Sequence, residues 1–186
     1  MTLISGRPLR GEFADHAAGN IDFVEGDDAV AALRAQGSRV ESMLREWSDG
    51  GVAGLRYAEG KWTPREVIGH LIDDERIFVY RAMCVARGEP LALPGFDEKL
   101  YAANAEHESR TVESLRDEYA VTRAASVAFF SSLSERQWMR KGIVNGYSAS
   151  VRGLAFHIAG HELHHLRILA DKYFTDKRTD PARSLP

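Results

Sequence analysis

The sequence predicts an all-α fold, a four-helix bundle with a long crossover loop between the second and third helices. Three observations predict it. Four long segments repeat their apolar residues at helical spacing. No window reads as a convincing run of strands. One connection, GEPLALPGFDEKLYAANAEHES, is long for a bundle and is expected to pack over one end.

The first helix is expected over Asp28 to Trp47, with Val30, Leu33, Val40, Met43 and Leu44 as its apolar stripe and Asp-Gly-Gly ending it. The second opens at Thr63-Pro64-Arg65-Glu66. Thr63 suits an N-cap, Pro64 the first helical position, and Glu66 completes a capping box. It runs to Arg87, and Gly88 stops it. The third spans Thr111 to Leu133 on Leu115, Tyr119, Val127 and Phe130, followed by a short turn over Ser134 to Trp138. The fourth begins near Ser148 or Ser150 and reaches Tyr173. Residues 1–25 lack periodicity and read as an irregular N-terminal arm. Residues 26–174 form the bundle, and 175–186, polar with two prolines, read as a flexible C-terminal tail.

Composition bounds the function. The chain has 186 residues, 44% apolar and 27% charged, which suits one globular domain rather than a disordered chain. A formal net charge of -3 gives no electrostatic reason to expect nucleic acid or an anionic membrane as partner. Cys84 is the single cysteine, so no intrachain disulfide can form. Neither a signal peptide nor a membrane-length apolar run is read, and a cytoplasmic location is expected.

Seven histidines are present, and four crowd into FHIAGHELHHLRIL: His157, His161, His164 and His165. On a wheel of about 100° per residue with His161 at zero, Val151, Leu154, Ile158, Ile168 and Leu169 mark an arc from roughly -20° to +80°. His165 falls near +40°, inside that arc, while His157 and His164 fall near -40° and -60°, at its edge. Glu162 lies outside and is read as solvated. Two inward imidazoles four residues apart are hard to satisfy by packing alone, and a shared metal ion satisfies both. A third inward imidazole, His70, lies on the second helix among Val67, Ile77, Phe78 and Val85. The predicted ligand set for one divalent ion is therefore His70, His161 and His165. Asp74, one turn past His70, is expected to hold its other ring nitrogen. Arg81, on the same stripe, is expected to pair with Asp74 or face the pocket.

His161-Glu162-Leu163-His164-His165 also matches H-E-x-x-H, the zinc-protease pattern. The absence of a strand-rich substrate-binding half and the outward wheel position of Glu162 argue against that reading. Cys84 is read as a small packing residue. Tyr101, Trp138 and Arg140 fall in connections that could line the mouth of the site.

From Asp28 to Tyr173 the sequence resembles the DinB-like family of metal-binding four-helix bundles. The resemblance rests on WTPREVIGHLIDDERIFVYR, the LPGFDE loop and NGYSASVRGLAFHIAGHELHHL, in that order. It implies that His70, His161 and His165 bind the metal. It also implies an enzyme that uses a low-molecular-weight thiol, of S-transferase or isomerase type, with a small thiol or electrophile as partner; a homodimer stays open. The ligand types admit zinc, nickel or iron. A non-catalytic metal-binding stress-response module and a metal-dependent hydrolase are the alternatives. No glutamate stands clearly as a general base, which favours thiol chemistry over hydrolysis.

Overall fold

The computed structural model describes residues 6–174. The expected C-terminal tail, 175–186, lies outside the described residues. Seven helices and one two-stranded hairpin occur among them: α1 (Ala18–Ile21), α2 (Ala29–Glu46), α3 (Pro64–Arg87), α4 (Glu98–Asn104), α5 (Val112–Ser131), α6 (Glu135–Trp138), β1 (Lys141–Val144), β2 (Tyr147–Ser150) and α7 (Val151–Tyr173). The four long ones, α2, α3, α5 and α7, are the four segments with helical periodicity.

Their starts are set by side chains that take up otherwise unpaired backbone N–H groups. Asp28 accepts from Val30 and Ala31 ahead of α2. Thr63 and Glu66 form a reciprocal capping box ahead of α3, with Pro64 at its first position. Thr111 caps α5 by accepting from Ser114, and Ser150 caps α7 by accepting from Gly153.

α3 packs against α5 and α7, and α2 packs against the same two, so α2 and α3 occupy opposite corners although they are consecutive long helices. That order needs α3 to reach α5 by a long path. The crossover is more structured than a plain loop: it contains α4 and a 3₁₀ turn at His107–Ser109, both packed on α3.

The core falls into two apolar compartments. One gathers Leu33, Ala82, Phe130, Trp138, Leu154 and Phe156; the other gathers Val40, Leu44, Ile68, Ile72, Leu115 and Leu166. On every long helix the changeover passes through buried polar residues: Gln36 on α2, Asp74 and Glu75 on α3, Thr122, Arg123 and Ser126 on α5, His161 and Glu162 on α7. A polar slice thus cuts across the bundle at mid-height.

Two features depart from the sequence reading. The first is the hairpin. β1 pairs antiparallel with β2, and Asn145 and Gly146 form the turn with φ of 50° and 79°. Positive φ at both central residues belongs to the type I′ turn, for which Asn-Gly is the preferred pair. The crossover is pinned to this hairpin by the Leu93 amide donating to Ile143 O and the Asn145 amide donating to Leu93 O, both 2.9 Å. The second is the N-terminal segment, which lacks periodicity yet docks on α7 through α1. A Cβ at Gly160 would stand 2.4 Å from Asn20 O, and one at Gly153 would stand 2.1 Å from Glu12 O. Glycine at these two positions, seven residues apart on one helical face, lets the backbones meet. Glu12, 2% exposed, completes the attachment by accepting from Arg152 Nε at 2.7 Å and from the Leu9 amide at 2.9 Å. No described helix is long and apolar enough to cross a membrane.

Candidate metal centre

The second turn of α3 and the middle of α7 meet at the polar slice. There His161 Nε2 stands 3.3 Å from His70 Nε2 and 3.1 Å from His165 Nε2. One ligand atom from each of the three lies within 4.8 Å of the others. His70 and His161 are buried and His165 is partly buried. Trp62, just ahead of the α3 cap, covers them from one side, its ring 4.8 Å from that of His70 and 6.3 Å from that of His165.

Asp74 sits behind His161, not behind His70 as expected. Its Oδ2 is 3.1 Å from His161 Nδ1 and 3.8 Å from His157 Nε2. Helical geometry explains the difference: side chains one turn apart on α3 share a face, but Asp74 meets the facing helix α7 directly, where His161 is aimed at it. A carboxylate only accepts, so His161 Nδ1 carries the proton and its Nε2 presents a lone pair toward the other two imidazoles.

The local electrostatics follow from this arrangement. Burial, reinforced by His161, pushes the His70 pKa down to about 4 and that of His165 lower still. Burial also depresses His157, to about 4. For His161 burial acts in the same direction, but the Asp74 carboxylate outweighs it and raises the pKa. Asp74 loses stability as an anion on burial, yet the three surrounding histidines hold it well below the carboxylate range. Two neutral imidazoles therefore face a third whose proton is fixed on the far nitrogen.

His157 stacks on Phe78 at 3.8 Å between ring centres, and with Asp74 and His161 it forms a second cluster of ligand types that shares His161 with the first. His164 lies beside the His165 ring at 5.3 Å but in neither cluster. A cavity of about 370 Å³ opens along Asp74, Arg81, His157, His161 and His165, with Glu98 of α4 on its wall. A second cleft, about 380 Å³, reaches His165 from the side of Trp62 and Tyr173.

Glu162 is 1% exposed rather than solvated. It accepts from Tyr119 Oη at 2.6 Å and from Arg123 Nη2 at 2.7 Å. Arg123 also donates to Glu75 at 2.9 Å and to Leu33 O at 2.9 Å. The wheel assumed one buried face, but α7 is packed by α1, α2 and α3 together, so its buried arc is wider. Glu162 thus points away from the histidines, and the zinc-protease reading of H-E-x-x-H loses its general base.

Of the residues expected near the mouth, Trp138 is buried against Phe130 and Arg140 donates to Ala86 O at the end of α3. Tyr101 is exposed and touches Phe96. Cys84 is partly buried and packs against the apolar core. The sequence reading missed Trp62, although it directly precedes the capping motif, and it missed His16, which the docked N-terminal segment brings to the cavity wall.

The family model for the DinB superfamily matches residues 32–169, which hold all four long helices but for the first residues of α2 and the last of α7. This chain belongs to the DinB superfamily. Among solved structures, this DinB chain matches YfiT from Bacillus subtilis with a TM-score of 0.67 at 16% identity, over 97% of this chain and 94% of that one. YfiT is described as a probable metal-dependent hydrolase with an unusual four-helix bundle topology. At that identity the likeness establishes the fold. No curated protein matches the chain.

Proposed function

We propose that this DinB protein is a divalent-metal enzyme whose ion is held by His70, His161 and His165 and whose open position takes a low-molecular-weight thiol for transfer to an electrophile. The observation that carries the metal assignment is the spacing of the three Nε2 atoms. Two nitrogens bound to one tetrahedral zinc lie about 3.3 Å apart, and His161 Nε2 stands 3.1 Å from that of His165 and 3.3 Å from that of His70. Without an ion the arrangement is unfavourable, because His161 Nε2 can serve one imidazole only, as acceptor or, when protonated, as donor, while two are pressed against it. A cation satisfies all three lone pairs at once.

Bound there, a zinc, nickel or iron ion would lower the pKa of a thiol or water that joins it. The chain supplies the rest. Asp74 fixes the His161 tautomer and orientation. Trp62 and Phe78 dry the two flanks of the histidine cluster. Glu162 is held by Arg123 and Tyr119, so the carboxylate next to a ligand in sequence does not serve as a base toward water. This withdrawal supports thiol transfer over hydrolysis.

One observation favours the hydrolase reading: Glu98 lines the same cavity and raises the His161 pKa from across it. A carboxylate there would suit a base for an attacking water, as YfiT's description would lead one to expect. Cobalt substitution separates the readings. Added thiol is expected to produce a sulfur-to-metal charge-transfer band that His161→Ala lacks. An unchanged spectrum removes the thiol reading. Turnover of esters or amides that Glu98→Gln abolishes would establish the hydrolase instead, and one ion per chain without any turnover would establish a metal-binding module.

A further inference from the structure

The cavity beside the histidines contains a buried cation that the metal reading leaves unused. Arg81 is 4% exposed. Its Nη2 donates to Pro94 O at 2.8 Å, and its guanidinium lies 4.8 Å from the centre of the Phe78 ring and 5.4 Å from that of Phe96. Among the described residues it forms no ion pair. Asp74, its nearest candidate by position on α3, is spent on His161 and faces His157. An arginine has five donors, and the one carbonyl engages only one nitrogen, while the residue lines the cavity beside the histidines.

Burial pulls the Arg81 pKa below the ordinary arginine range, with the Asp74 carboxylate acting in the opposite direction. The rings hold the guanidinium plane in place, so its free edge is preorganised rather than mobile. Its ring partner Phe78 lies one turn toward the helix N-terminus, the direction in which Asp74 and His70 follow on α3. The wall carries two anions, Asp74 and Glu98, and a divalent ion at the histidines tips the formal balance of the cavity to positive.

We propose that Arg81 is a specificity-determining residue that binds the carboxylate of a substrate whose other end reaches the metal. Bidentate pairing of guanidinium with carboxylate uses the planar edge that the two rings leave open. The inference rests on the metal site of the preceding reading but not on which reaction occurs there. It makes the cavity selective for small molecules that carry a carboxylate at the end remote from the reacting atom.

Two probe pairs test it on the metal-loaded protein. The first is mercaptohexanoate against mercaptohexanol, read by the charge-transfer band of the cobalt form. The second is hexanoate against hexanol, read by calorimetry on the zinc form. The carboxylate of each pair is expected to bind about tenfold more tightly, about 1.4 kcal/mol. The preference should vanish in Arg81→Met and survive in part in Arg81→Lys, with affinity for the alcohols unchanged. Preference in the thiol pair alone places the carboxylate on the thiol; preference in both admits it on the electrophile. Equal binding within both pairs overturns the proposal. So does a preference that persists in Arg81→Met, because it then belongs to the metal. A missing thiol band with Arg81-dependent hexanoate binding removes the thiol reading and leaves Arg81 in its role. Should Arg81→Met fail to fold, a preference in Arg81→Lys smaller than in the parent chain supports the proposal, and an undiminished one overturns it.

Discussion

At the scale of single residues, the four histidines of α7 stand in three different situations, and mutation should sort them. His161→Ala and His165→Ala are expected to abolish metal binding, and His70→Ala likewise, since each removes one of three converging nitrogens. His164→Ala is expected to retain it. His157→Ala should retain the ion but weaken it by about tenfold, because His157 acts on the ligand set only through Asp74. Elemental analysis of untagged protein and its variants checks all five. The pH dependence has a definite sign. Protons compete with the ion for His161, whose pKa is raised, whereas His70 stays neutral down to about 4. Metal affinity should therefore rise with pH and fall off first as His161 protonates, which a metal titration from mildly acidic to neutral pH would follow. The three inward histidines were legible because helical spacing alone puts His161 and His165 on one face. The partner of Asp74 was not, because it depends on how α3 faces α7. Glu162 was misread for the same reason: a wheel built from one stripe cannot register three neighbouring helices.

At the scale of elements, one buried carboxylate ties the N-terminal segment to α7. Glu12 accepts from Arg152 and the Leu9 amide while its own carbonyl accepts from the Ser150 amide at 2.9 Å. Burial opposes its ionisation, but Arg152 and the amide outweigh it and lower its pKa. A lowered folded-state pKa means the contribution is complete above the ordinary glutamate value and is lost as pH falls through the lower one. Glu12→Gln should cost about 2 kcal/mol at neutral pH, and the difference from the parent chain should shrink in acid; denaturant titrations at both pH values measure it. Gly160→Ala should loosen the same docking without touching the metal ligands, because the added methyl meets Asn20 O. The long helices were readable from caps and periodicity. The hairpin carried a signal, Asn145-Gly146, but its strands have only four residues each, too short for alternation to register. The N-terminal segment carried none, because its few buried residues, such as Ile21 and Val24, find partners only in the folded bundle.

At the scale of the whole molecule, the ion is expected to add to stability, because its ligands come from α3 and α7 and are not assembled in the unfolded chain. At a hundredfold excess over the dissociation constant it would contribute about 2.7 kcal/mol, so chelation should lower the melting temperature of the parent chain and leave that of His161→Ala unchanged. The Arg123 cluster acts on the same helices by other means. Arg123→Met would strand Glu75 and Glu162 in the interior and should cost about 3–5 kcal/mol, seen as a lower denaturant midpoint whether or not metal is present. Its place between the two apolar compartments has a consequence for assembly. A helix that slid along its neighbours by one turn would still lay oil against oil, and hydrophobic contact alone would hardly register the error. The slice registers it, since a slip of α3 takes Glu75, and a slip of α7 takes Glu162, out of reach of Arg123 and leaves a buried carboxylate unpaired. The charged pairs therefore favour the one offset of α3 and α7 that also brings His70 opposite His161.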